Sequence, residues 1–160
     1  MTWVHAVSGI AVVSTGLFTG LLMTVLFFFE RALKDLPGPE FTLVMQRFLG
    51  ITRTHPLNYA MVLVSGTVPI LALVMMRENP GNLAFVLTLL GLLAFWGGSI
   101  LPSYFVAQPL YGVFLGWETD APPKDWRRAR NRFFRLNVFR GLGSPAAFVC
   151  FVISLGLPTP

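Results

Sequence analysis

Glu30, His55 and Arg140 are the residues whose types best suit acid–base and electrostatic chemistry in this sequence. A base such as His55 or Glu30 would take a proton from an acidic C–H, and a cation such as Arg140 or Arg130 would hold the resulting anion. Tyr104, Tyr111 and Trp126 offer flat faces for an aromatic molecule entering from lipid. Gln108 and Asn137 add polar groups near them. Asn137 lies one helical turn before Arg140, so both fall on one face. Each ionisable group at a membrane edge needs a partner. Glu30 and Arg140 are expected to pair, with Asn137 sharing the site. The bland alternative is a salt bridge that pins helix ends and does no chemistry.

Other chemistries lack their residues. His5 and His55 are the two histidines and are expected on opposite membrane faces, so they cannot ligate one metal. Cys150 is the single cysteine and can form no disulfide within the chain. No phosphate loop, nucleophile elbow, HExxH or CxxC pattern occurs. No metal and no cofactor is expected. The apolar stretches carry no carboxylate, which argues against a proton pump or cation-coupled transporter.

The elements that must position these residues are membrane helices. Of the 160 residues, 54% are hydrophobic and 12% charged, about half the charge of a soluble domain. Four uncharged stretches, 6–29, 56–76, 83–101 and 141–157, each approach the roughly 20 residues a span needs. Continuous runs without alternation exclude a barrel, and backbone in hydrocarbon must then be helical. The expected fold is a single all-α domain over 1–160, a bundle of four transmembrane helices. A short interfacial amphipathic helix and a basic amphipathic helix leading into the last span complete it.

Charge sets the orientation. Arg31, Lys34, Arg47, Arg53, Lys124, Arg127, Arg128, Arg130, Arg132, Arg135 and Arg140 all fall in the two connections on one side, and only Arg77 falls on the other. Lys and Arg stay cytoplasmic during insertion. Both termini are therefore expected outside, as in a bacterial inner-membrane protein. The net charge of +5 collects beside helix ends, which suits anionic lipid headgroups at the cytoplasmic face and not nucleic acid.

The segments between spans carry further signals. Pro37-Gly38-Pro39 breaks the first helix. Phe41, Val44, Met45, Phe48 and Ile51 then recur at helical spacing, as expected of a helix lying at the membrane surface. Gly16 and Gly20 are expected to form a packing face inside the bundle. Residues 79–117 are 39 without a charge, and Pro102 and Pro109 interrupt them. The reading is a span ending near Leu101, then a bent or broken piece to Trp117 that is either a cavity wall or a kinked helix end. On Lys124–Arg140, Arg128, Arg132 and Arg135 form a lipid-facing stripe, and Trp126, Arg130, Phe133, Asn137 and Arg140 form a second.

Several short motifs give the chain a family likeness. They are Thr15-Gly16-Leu17-Phe18-Thr19-Gly20, Phe28-Phe29-Glu30-Arg31-Ala32-Leu33, Glu40-Phe41, Met45-Gln46, His55-Pro56-Leu57, and Trp126 with Arg132-Phe133, Asn137-Val138-Phe139-Arg140 and Ala146-Ala147-Phe148. Over its full length the chain resembles the anthrone-oxygenase-like family of small four-helix membrane proteins. Ala107-Gln108-Pro109-Leu110-Tyr111 is similar to an Asn-x-Pro-Leu-Asn pattern, with Gln108 and Tyr111 departing from its asparagines. The resemblance implies oxidation of a hydrophobic aromatic or quinone-type substrate by O₂ without a bound cofactor. The alternative is a non-catalytic membrane subunit, or a quinone- or lipid-binding scaffold, of a larger protein complex. A small transporter is the third reading.

Overall fold

A computed structural model describes residues 3–158. Those residues form α1 (Trp3–Leu33), α2 (Gly38–Thr52), α3 (Pro56–Met75), α4 (Leu83–Leu115) and α5 (Trp126–Leu155). All but α2 are long and apolar enough to cross a membrane, which makes the chain an integral membrane protein by helix length and composition. α1 packs on α3 and α5, and α4 packs on α3 and α5. The four helices thus close a ring in the order α1–α3–α4–α5, each running opposite to its neighbours.

The helix boundaries follow from local chemistry. Pro37 precedes α2 and stops α1 from continuing. His55 and Asn82 cap α3 and α4, their side chains accepting the Leu57 and Ala84 amides at 3.3 and 2.8 Å. Pro56 follows His55 at the first turn of α3, where its missing N–H costs nothing.

The long helices run past the apolar stretches that announce them. α4 in particular continues through Pro102 and Pro109 to Leu115, so the piece expected to be bent or broken is helical without a break. Two π turns, Trp96–Ile100 and Ser103–Ala107, flank Pro102. Their wider i→i−5 bonds, from Leu101 to Trp96 and from Gln108 to Ser103, carry the chain past residues that lack an amide proton. α1 has a third π turn at Val25–Phe29, closed by the Glu30 amide on the Val25 carbonyl.

Small residues and hydroxyls join the spans, as expected where lipid tails offer no hydrophobic contrast. The Thr19 and Ser144 hydroxyls meet at 2.7 Å between α1 and α5. Those of Thr88 and Ser154 meet at 2.8 Å between α4 and α5. Among the glycines, the closest approach to another backbone is Gly98 on α4 against Gly143 on α5, where a Cβ on either glycine would lie 2.5 Å from the other's Cα. Of the Gly16–Gly20 pair, only Gly16 is packed, against the Phe148 ring, while Gly20 faces open space.

α2 closes the basic end of the bundle. Phe41, Met45 and Leu49 are fully buried with Phe114, Trp126 and Phe133. The buried stripe differs from the expected one at its end. Leu49 faces inward, whereas Ile51 is 64% exposed. Gln46 fastens this cap by donating to the carbonyls of Phe114 and Trp117 at 3.1 and 2.8 Å, which satisfies the end of α4.

Candidate functional site

Three buried polar side chains line up just inside the α2 cap. Glu30 (7% exposed), Asn137 (2%) and Arg140 (8%) come from the end of α1 and the middle of α5. Asn137 stands between the other two. Its Nδ2 donates to Glu30 Oε1 at 2.8 Å, and its Oδ1 accepts from Arg140 Nη1 at 3.3 Å. The charges are therefore joined through an amide and not by direct contact. An amide is suited to this place because it offers a donor toward the carboxylate and an acceptor toward the guanidinium.

The π turn of α1 ends at Glu30, and the second π turn of α4 ends at Gln108. Such wide turns shift the face that the next residues present. After this one, α4 sets the half-buried Tyr111 beside Arg140 and leaves Gln108 exposed at the cavity edge. The Tyr111 hydroxyl lies 3.4 Å from Arg140 Nη1.

Beside these groups lie two adjoining cavities of about 210 and 90 Å³. Both are lined by Phe18, Asn58, Tyr59, Gln108, Tyr111 and Arg140. The larger also reaches Tyr104 and Ser99, and the smaller reaches Asn137, Arg53 and Phe133. Of the residues lining the cavities, Arg140 and Ser99 each have a buried side-chain atom, Nε and Oγ, without a hydrogen-bond partner. A buried guanidinium with an unused donor is costly. This arrangement can accept the oxygen of an anionic or strongly polar group, with aromatic side chains beside it.

The expected site residues separate into three groups. Gln108, Tyr111, Tyr104, Asn137 and Arg140 share the cavities, and Glu30 reaches them through Asn137. Trp126 and Arg130 lie apart. Trp126 is packed under α2, and the Arg130 guanidinium lies 5.4 Å from its ring. His55 is exposed at the start of α3, its Nδ1 engaged as the helix cap, and lines neither cavity. His5 sits in the first turn of α1, near the opposite end of the bundle.

The sequence reading missed Asn58, Tyr59 and Arg53. Asn58 donates to the Thr52 carbonyl at 3.1 Å, and Tyr59 donates to the Arg53 carbonyl. Together they fold the α2–α3 turn against the cavity. An asparagine less than one turn into an otherwise apolar span was the available signal. Among the described residues, no group of three or more His, Cys, Asp or Glu could hold a metal ion.

No family model, curated protein or solved structure matches the chain.

Proposed function

We propose that this membrane protein binds a lipid-soluble aromatic or quinone-type molecule in the cavities beside Arg140. One observation carries the reading: a buried arginine, Arg140, lines a cavity together with Phe18, Tyr59, Tyr104 and Tyr111. A quinone carbonyl or a phenolate oxygen would satisfy the guanidinium, and its ring would lie against the aromatic walls. Such a ligand would enter from the bilayer.

A short-chain ubiquinone analogue, titrated into the purified chain in detergent, tests the reading. Arg140→Leu is expected to weaken binding about 10- to 100-fold, the value of a hydrogen bond to a charged group. Tyr111→Phe is expected to weaken it only a few-fold, and Arg128→Leu, on a lipid-facing stripe, not at all. Equal binding by all four proteins would overturn the assignment. Native mass spectrometry of the chain extracted from its own membrane gives the companion readout. A quinone-sized adduct on the lone chain or a homo-oligomer supports a ligand-handling protein, whereas a stoichiometric mass with other polypeptides makes it a subunit.

Oxygenation is the second reading, supported by the family resemblance and by the cation and phenol set together in the cavity. The reaction would convert an anthrone-type ring methylene to a carbonyl. The methylene loses two hydrogens and gains one oxygen atom of O₂, and the other oxygen leaves as water. Arg140 would hold the enolate that proton loss creates. Neither His55 nor Glu30 lines the cavities, so Tyr111 is the acid–base group best placed for that proton. Ligand-dependent O₂ consumption that Arg140→Leu and Tyr111→Phe both abolish would establish it.

In the same reading the basic end lies in the cytoplasm and both termini lie outside, across a bacterial inner membrane. Reporter fusions after Asn79 and Pro160 are expected to read as extracytoplasmic, and one after Asp120 as cytoplasmic. The reverse pattern would overturn this orientation.

A further inference from the structure

On the far side of Glu30 from the Arg140 cavities, α1 and α5 frame a groove of about 670 Å³. Its two ends differ in chemistry. Leu26, Phe27 and Phe134 form the end nearer the middle of the bundle, and Phe27 and Phe134 are exposed. Arg31, Lys34 and Arg130 form the other end. The Arg130 guanidinium is already positioned. Its Nη1 donates to the Lys34 carbonyl at 2.7 Å, its Nη2 to Asn131 Oδ1 at 3.4 Å, and Trp126 backs it. Arg31 and Lys34 are exposed at the rim.

Charge identifies the occupant. The groove's three cations face two carboxylates, Glu30 and Asp35, and Glu30 is turned inward to Asn137. One positive charge is left over. A phosphodiester carries one negative charge, and the apolar end continues toward where acyl chains would run. A zwitterionic headgroup brings the same phosphodiester together with a cation that the groove's excess positive charge repels, and free phosphate would leave the apolar end empty.

We propose that this groove seats one anionic phospholipid, its phosphodiester on Arg31, Lys34 and Arg130 and an acyl chain along Phe27 and Phe134. The site is separate from the Arg140 cavities and stands whether or not they bind a quinone.

The experiment uses the full chain in detergent with dioleoylphosphatidylglycerol, dioleoylphosphatidylcholine or inorganic phosphate added, read by native mass spectrometry and thermal melting. One phosphatidylglycerol per chain is expected to be retained and to raise the melting temperature. The double variant Arg31→Gln/Lys34→Gln, both rim residues, is expected to weaken retention about 10- to 30-fold, since each cation near an anionic surface contributes about the same modest increment. Arg128→Gln/Arg132→Gln removes as much charge from exposed positions outside the groove and is expected to change little. Equal losses in the two double variants would overturn the proposal in favour of diffuse attraction. Equal retention of phosphatidylcholine, or equal stabilisation by inorganic phosphate, would overturn it as well.

Discussion

Replacing Asn137 with Leu is expected to cost about 3 kcal/mol of stability and to erase the energetic coupling between Glu30 and Arg140. The cost arises because two buried charged groups lose the amide that joins them. Leucine fills similar space but can neither donate to the carboxylate nor accept from the guanidinium. Denaturation in mixed micelles, run on a Glu30→Gln and Arg140→Leu double-mutant cycle, gives the coupling. With Asn137 in place it is expected to fall between about 0.5 and 3 kcal/mol, and in the Asn137→Leu background near zero. Persistence of the full coupling without Asn137 would show that the charges interact directly, contrary to the observed bridge.

The second large effect is steric. Gly98→Ala is expected to destabilise the bundle by about 2–3 kcal/mol, while Gly97→Ala is neutral or slightly stabilising. A Cβ at position 98 would meet the Gly143 backbone at 2.5 Å, whereas a Cβ at position 97 meets nothing within 4 Å. Backbone cannot move aside as a side chain can, so α4 and α5 would have to separate. Their hydroxyl contact between Thr88 and Ser154 would be strained as they parted. Melting temperatures of the two variants in one detergent decide the matter, and equal shifts would sink the argument.

The spans were legible because hydrocarbon demands a long uncharged run, and such runs are local in sequence. The course of α4 beyond Leu101 was not. Pro102 and Pro109 read as a bend or a break, whereas the helix continues through π turns on either side of Pro102, and nothing in the residue types announces a wide turn. Which glycines touch was also hidden. Gly16 and Gly20 share a motif, yet the tightest contact joins Gly98 to Gly143 on another helix, and depends on how α4 and α5 rotate against each other.

The candidate site was legible to a similar degree. Orientation and depth were enough to bring Glu30, Asn137 and Arg140 together. They did not reveal that Asn137 lies between the charges, because side-chain order across a contact is set by helix rotation. His55 looked suitable for catalysis by its chemistry, but its place before Pro56 makes it a cap. Its ring nitrogen serves a backbone amide that the start of every helix leaves unpaired.

The three π turns also have a consequence for chain length. An added residue in an ordinary helix turns everything beyond it by about 100°, exchanging lipid-facing and core-facing positions. A π turn absorbs that residue locally as a bulge. Val25–Phe29 and Ser103–Ala107 are thus places where a single residue can be lost while the rest of each helix keeps its faces. A one-residue shortening there would flatten the bulge that presents Glu30 or Gln108 and leave the spans packed as before. The same shortening beside Thr88 or Ser144 would throw the whole helix out of phase.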